Sequence, residues 1–344
     1  MKKILFIDDG IEFDSITARE KSTGGAESAF VSLTEALAKK NYEVCVYNNC
    51  KNTGLIKGVN WKKLSNKIND EKFNILIINR GDKFLNFKKN CKNRIFWIHN
   101  PATYLLKLRY IKKLFFNPAN IIFSSNYHLN SYPKWAPSKK RIVIPYGIQN
   151  FIFKNITELR VPQKNVIFTS NPERGLDWLL DRWEKDIYPK VPDAKLNLFT
   201  GLKTYGDFGK KKLKNVLPIL QRAKKLKNKG VILNKPVKRQ ELVKYLKASR
   251  LFLYQGSINE TFCMSVAEAQ VLGIPTVVKN LGCLAERVSN QKSGYVCNSD
   301  EEFSNRAIEI LTDNKCWLNM HKYMLKNNVH YSWQKVADMW EKNF

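Results

Sequence analysis

The chain has 344 residues and reads as a parallel α/β protein built from two successive doubly wound sheets. Three observations predict this. Short β-branched runs alternate with helical stretches along the sequence. The strand candidates are continuous apolar runs, as suits strands covered on both faces. The alternation lapses over Phe151 to Gln163, an irregular stretch carrying Pro162, and then restarts.

In the first half the predicted strands are Ile4–Ile7, Val44–Tyr47, Ile75–Ile78, Ile95–Ile98, Ile121–Phe123 and Ile142–Ile144. Helices fill the gaps, most clearly Ala26 to Lys39, where Phe30, Leu33 and Leu37 recur at helical spacing. In the second half they are Asn165–Thr169, Leu196–Phe199, Val231–Leu233, Leu251–Tyr254, Thr276–Val278 and Tyr295–Cys297. The expected domains are 1–152 and 153–329, with 330–344 joined to the first. Ser332 to Trp340 reads as a helix start with an apolar face.

Composition narrows the class. A hydrophobic content of 44% supports packed cores and excludes a disordered chain. No apolar run approaches the length of a membrane span. The opening Met1 to Asp9 holds only four successive apolar residues before two aspartates, so it reads as a first strand and not a signal peptide. Seven cysteines, at 45, 50, 91, 263, 283, 297 and 316, show no Cys-x-x-Cys pair. They are expected to be reduced thiols in a cytoplasm. The net charge is +29, from 59 basic against 30 acidic residues. An excess that large suits an anionic partner surface. Coding bias toward Lys, Asn and Ile is the competing explanation. Nucleic acid is not an expected partner, because no RNA- or DNA-binding motif accompanies the charge.

The most informative local feature is the pair Glu260 and Glu268, separated by seven residues. A strand ending at Tyr254 runs into a turn of Gln255, Gly256, Ser257 and Asn259, and a helix is expected to begin near Thr261. Glu260 then stands at the helix mouth and Glu268 two turns along, roughly 12 Å away by helical rise. Between them lie the unpaired first amides of the helix, a ready anion site. An anion flanked by two hydroxyl-binding carboxylates describes a nucleotide sugar. The competing reading of Glu260 is a charge that merely favours the helix dipole.

Glu-x7-Glu, followed by Gly273 to Val278, then Gly282 to Glu286 and Ser293-Gly294, resembles the donor half of GT-B glycosyltransferases of the retaining family four type, also called group 1. The resemblance extends to Gly24-Gly25-Ala26-Glu27, similar to that family's glycine loop and first helix. It also covers Ile144 to Ile148, similar to its interdomain Ile-Pro-x-Gly-Ile element. It implies two Rossmann-like domains facing across a cleft, with the last helix crossing back to the first domain. It assigns Glu268 to the ribose hydroxyls and Glu260 to the hydroxyls of the transferred sugar. The amides of Phe262, Cys263 and Met264 would meet the β-phosphate, and the family often has glycine where Cys263 stands.

Ser170 and Arg174 follow the strand at Asn165, where a guanidinium suits a diphosphate. A surface cation capping the turn is the plainer reading. The family usually pairs this arginine with a lysine a turn later. Leu176, Asp177, Trp178 and Leu179 stand there instead, which leaves Lys235 as the candidate for the second cation. Gly24 and Gly25, after Ser22 and Thr23, would let backbone approach a phosphate, or simply form a flexible helix start. His99 ends a strand, where the resemblance places a histidine near the donor sugar, with a satisfied turn histidine as the alternative. His128 is a second candidate of the same kind. No Asp-x-Asp occurs, so neither a metal nor a further cofactor is expected.

Tyr104 to Phe116 reads as an amphipathic helix, with Arg109, Lys112 and Lys113 on one side and Tyr110, Ile111 and Leu114 opposite. It is a candidate monotopic membrane face, or else a core helix with a solvated basic side. Lys210–Lys212, Lys214 and the cations from Arg222 to Lys229 read as a solvated face. The expectation is therefore a cytoplasmic, peripherally membrane-associated retaining glycosyltransferase. It would move a sugar from a nucleoside diphosphate to a hydroxyl of a glycolipid, lipid-linked glycan or lipopolysaccharide. A sugar-nucleotide epimerase of the same fold and a non-catalytic nucleotide-sugar or glycan-binding protein are the alternatives.

Overall fold

The computed structural model describes residues 1–20, 24–88, 93–158, 160–201 and 213–344. They fall into two units: Met1–Gly147 with Tyr331–Phe344, and Ile148–His330. The stretch expected to link the domains begins with a helical turn, Asn150–Phe153, that belongs to the second unit.

The first unit is built on an eight-stranded sheet. Its strands are β1 (Lys3–Ile7), β2 (Glu43–Asn48), β3 (Gly54–Ile56), β4 (Val59–Lys63), β5 (Ile75–Asn79), β6 (Arg94–Trp97), β7 (Asn120–Phe123) and β8 (Lys140–Val143). The order is β3-β4-β2-β1-β5-β6-β7-β8. All pairs are parallel except β3 with β4. The six predicted strands are present, and Ile4 to Ile7 at the centre are fully buried. The β3–β4 hairpin was not predicted. Its two-residue turn is Lys57-Gly58, with φ of 53° and 80°. Two positive φ values in succession match the right-handed twist of the flanking strands.

One face of this sheet is covered by the helix Gly25–Ala38. Phe30 at its centre packs edge-on against Phe6 and Phe13 at 5.2 Å. The helix Trp333–Glu341 packs in the same unit, the return the resemblance implied. Trp340 sits 5.0 Å from Trp97, and Lys40 pairs with Asp338 and Glu341 at 2.8 and 2.9 Å. Gly147 makes this contact close. A Cβ there would lie 2.7–2.8 Å from the Cα and ring atoms of Trp333, so only glycine fits.

The second unit carries a six-stranded, wholly parallel sheet: β9 (Asn165–Phe168), β10 (Lys195–Phe199), β11 (Val231–Asn234), β12 (Leu251–Tyr254), β13 (Thr276–Lys279) and β14 (Gly294–Cys297). The order β11-β10-β9-β12-β13-β14 puts β9 beside β12 in the middle. Chain reversal between neighbours at such a point leaves a crevice at the strands' carboxyl ends, where ligands bind in open α/β sheets.

The helix expected over Tyr104 to Phe116 is broken. Ala102–Leu106 is a separate 3-10 turn and the α-helix is Leu108–Phe116, because Lys107 is extended at ψ 136°. Tyr110 and Leu114 are buried in the unit's own core. Lys113 and Arg109, on the other side, reach Asp82 at 2.9 and 3.6 Å. The side expected to meet lipid is therefore core.

Candidate functional site

In the second unit the turns after β9 and β12 meet. Gly175, at φ 88°, lets Gln255 pack so close that a Cβ would lie 2.2 Å from its Oε1. This contact holds the Arg174 turn against the turn that carries Glu260. Glu260 is buried, and its Oε1 accepts both the Tyr254 hydroxyl and Arg174 Nη1. Ser170 Oγ lies 3.2 Å from the same tyrosine oxygen, and Thr200 Oγ1 donates to Ser170 O at 2.7 Å. Ser170, Arg174 and Glu260 thus form one cluster, joined through Tyr254, which sequence reasoning missed inside an apolar strand.

Burial by itself would lower the Arg174 pKa, but the Glu260 carboxylate beside it drives it upward. Burial raises the Tyr254 phenol well above its ordinary value, and the Glu260 carboxylate beside it adds to the rise. The cluster therefore holds a fixed cation, a carboxylate and a neutral phenol.

The helix begins at Met264, three residues later than expected. Cys263 caps it in the left-handed region, at φ 61° and ψ 78°. That conformation is a physical reason for the family's glycine at this position. The first i to i−4 bond runs from Ala267 N to Cys263 O at 3.2 Å, so the amides of Cys263, Met264 and Ser265 precede the helical ladder. Phe262 lies under the Arg287 guanidinium at 4.7 Å. Glu268 is buried along this helix. Arg239 Nη2 stands 3.4 Å from its Oε1, which has no hydrogen-bond partner. Burial raises the Glu268 pKa, partly offset by Arg239. Lys235 is exposed at the end of β11, the edge strand, and makes no hydrogen bond or ion pair with the cluster among the described residues.

A second polar cluster lies at the carboxyl ends of β1, β5 and β6 in the first unit. Asp8 accepts Arg80 Nε at 3.1 Å and also the Asn79 amide. Arg80 Nη1 reaches Glu27 at 2.8 Å, while its Nη2 is buried without an acceptor. Arg80 is itself left-handed, at φ 51°. A Cβ on Gly24 would lie 2.3 Å from Glu27 Oε2, whereas Gly25 has open space. Ser22 and Thr23 lie outside the described residues. Burial pushes the Asp8 carboxyl above its usual range, against the pull of Arg80.

His99 belongs to this cluster. Its Nε2 faces Asn79 Oδ1 at 2.7 Å, and its Nδ1 faces the Tyr146 hydroxyl at 2.5 Å. The amide oxygen can only accept, so Nε2 carries the proton and Nδ1 accepts from Tyr146. Burial, then the Arg80 charge, holds the ring neutral, well below the ordinary histidine range. His128 is fully buried and satisfied as well: Nδ1 accepts Ser124 N at 3.2 Å and Nε2 donates to Asn100 O at 2.7 Å. Asp8, Asn79, Arg80 and Tyr146 were not singled out from the sequence. Their signal was their position at strand ends.

Among the described residues, no group of three or more His, Cys, Asp or Glu is placed to hold a metal ion. No helix of the described residues is long and apolar enough to cross a membrane. The basic surface from Arg222 to Lys229 is partly neutralised. Arg222 reaches Asp177 and Asp181 at 2.9 and 2.7 Å, and Lys229 reaches Glu184 at 2.8 Å. Lys210–Lys212 lie outside the described residues.

Two Rossmann-like parallel sheets, the second carrying this carboxylate–guanidinium cluster, define the GT-B class. Residues 204–330 match the family described as glycosyl transferases group 1. The chain is similar to a probable sucrose-phosphate synthase from Thermosipho melanesiensis, 22% identical over 62% of this chain and 49% of that one. It thus spans about half the length of that relative. Among solved structures it is similar to Anabaena Alr3699/HepE in complex with UDP and glucose, with a TM-score of 0.75, 14% identity and 99% of both chains covered. It is also similar to WaaG, a glycosyltransferase involved in lipopolysaccharide biosynthesis, with a TM-score of 0.67, 13% identity, and 98% and 99% covered. The recognition made from the sequence is supported: residues 204–330 match the group 1 glycosyl transferase family, and the whole chain has the GT-B fold of the solved structures it resembles.

Proposed function

We propose that the chain transfers a hexosyl group, with retention, from a nucleoside diphosphate sugar to a hydroxyl of a membrane-associated acceptor. The observation that carries this reading is the ion pair of Arg174 with Glu260 at the mouth of the helix that carries Glu268, a buried carboxylate whose Oε1 accepts no hydrogen bond. The guanidinium and carboxylate satisfy each other. A donor diphosphate takes the guanidinium, and the sugar hydroxyls take Glu260 in its place. Glu268 accepts the ribose hydroxyls, and the amides at Cys263 and Met264 meet the β-phosphate. In the transfer, the bond from the anomeric carbon to the phosphate oxygen breaks and one to the acceptor oxygen forms. The acceptor proton passes to the leaving phosphate on the same face of the sugar. Arg174 stabilises the charge gathering on that phosphate. This assignment needs no metal and no further cofactor. His99, with both ring nitrogens engaged, acts by positioning Asn79 and Tyr146 and not as a base.

HepE in complex with UDP and glucose supports a nucleotide sugar as donor, and WaaG supports an envelope glycan as acceptor. The +29 charge supports an anionic surface nearby, at the cytoplasmic face of a membrane. A donor panel, read by thermal shift and by release of free sugar, tests the reading. Nucleotide sugars should stabilise the chain and lose their sugar, with the α-anomer transferred from an α-linked donor. A chain that epimerises donor alone, or binds it without turnover, overturns it.

A further inference from the structure

The helix Leu108–Phe116 has two apolar sides, and the fold uses only one. Tyr110 and Leu114 are core. Leu108, Phe115 and Phe116 are 64%, 68% and 75% exposed. At i, i+7 and i+8 they line a single stripe, with exposed Lys112 between them. Trp135, 70% exposed, lies in the segment that leads into β8. Strands β7 and β8 are parallel neighbours, tied where they begin by Lys139 N to Ala119 O at 2.9 Å. The chain after Phe116 and the chain after Trp135 therefore reach the sheet side by side. The three aromatics share its amino-terminal edge, opposite the strand ends that hold Asp8 and Asn79.

Charge says what covers this edge. From Lys107 to Arg141 the sequence has eight Lys and Arg and no Asp or Glu. Lys107, Lys112, Lys134, Lys139 and Lys140 are exposed around the aromatics. Coding bias across the whole chain does not predict a segment without acids. Phe and Trp side chains that dip into an acyl boundary, ringed by lysines that reach anionic headgroups, are the chemistry of an interfacial anchor. Nucleic acid would leave the aliphatic Leu108 and the rest of the helix stripe unused.

We propose that Leu108, Phe115, Phe116 and Trp135, with their lysine fringe, dock the first unit on an anionic phospholipid bilayer. The proposal gives the membrane-associated acceptor read above a physical surface, on a different side of the helix from the one the amphipathic pattern suggested. The test is co-sedimentation of the full chain with phosphatidylcholine vesicles, with and without phosphatidylglycerol. The variants are Phe115→Ser with Phe116→Ser, Trp135→Ser, and Lys134→Gln with Lys139→Gln and Lys140→Gln. All these positions are exposed or at the surface, so folding is checked by thermal unfolding and by sugar release from donor in free solution. That release reports on donor chemistry separately, so failure of the docking surface and failure of the glycosyl-transfer reading give different results. The wild type should bind vesicles only when phosphatidylglycerol is present. The aromatic double variant should bind at least about tenfold more weakly. Wild type that stays in the supernatant overturns the proposal. So does vesicle binding that survives the aromatic changes but vanishes in salt, which is adsorption by charge alone. Self-association that the aromatic changes abolish overturns it too, because the occupant is then a second copy.

Discussion

Replacing Glu260 by glutamine separates its chemical role from its structural one. Its partner Arg174 has a side chain 38% exposed, against 9% for Glu260. Breaking a fully buried ion pair costs about 3–5 kcal/mol, and an exposed pair contributes about 0–1. One half-wet partner places this pair between those limits. The glutamine carbonyl still accepts from Tyr254 and Arg174, which pulls the cost of Glu260→Gln down to about 1 kcal/mol. In a unit the size of Ile148–His330 that is a fall in melting temperature of about 2–4 °C. Turnover responds differently. A neutral amide replaces a charge-assisted acceptor for the sugar hydroxyls, a loss of about 2–4 kcal/mol or roughly 30- to 1000-fold in rate. Sugar-free nucleoside diphosphate should bind at least as well as before, because Glu260 is assigned to the sugar and its neutral replacement competes less for Arg174. The assay pairs steady-state donor turnover with calorimetric binding of the free nucleotide and a thermal melt. Turnover within threefold of the wild type refutes the role given to Glu260. A melt that collapses alongside activity refutes the argument that the two are separable.

Other outcomes follow from the same structure. Glu268→Gln should weaken nucleotide binding by about 10- to 30-fold, the cost of about 1.4–2 kcal/mol for a charge-assisted hydrogen bond to ribose, with little change in turnover at saturation; titration calorimetry checks it. Gly147→Ala drives a Cβ into Trp333 and should cost about 1–3 kcal/mol by urea unfolding, with Trp333 fluorescence altered. Cys263→Gly removes a left-handed conformation that costs about 1–2 kcal/mol, against a similar loss of buried thiol and gain in unfolded-chain freedom, so unfolding should shift by less than about 1 kcal/mol. For His128, burial lowers the folded pKa to about 4, below its ordinary 6.5. Between those values the unfolded chain takes up the proton first. Stability is full above about pH 6.5 and falls by about 3 kcal/mol as pH drops to 4. His128→Gln, which keeps a donor for Asn100 O, should flatten that slope in urea melts at pH 7 and 4.5.

What the sequence disclosed depended on how far apart the cooperating residues are. The parallel strands are local apolar runs, so all twelve predicted ones were legible. The β3–β4 hairpin was not, because Asn60 and Lys62 dilute its apolar pattern and its turn needed the Lys57-Gly58 conformation to be noticed. Glu260 and Glu268 were legible because seven residues and one helix set their relation. The first-unit cluster has no such local grammar. Asp8, Glu27, Arg80 and His99 lie far apart in sequence, and only the neighbour relations of β1, β5 and β6 bring them together. A stricter use of the carboxyl-end rule would have marked Asp8 and Arg80, since each follows an apolar strand directly. The helix at Leu108 shows the opposite failure, a clear pattern with two solutions. Tyr110 with Leu114 and Leu108 with Phe115 are both apolar pairs at helical spacing, and periodicity does not rank them. Packing does. The side that meets Phe96 and the 3-10 turn is spent on the core, so any surface chemistry of this helix belongs to the other side.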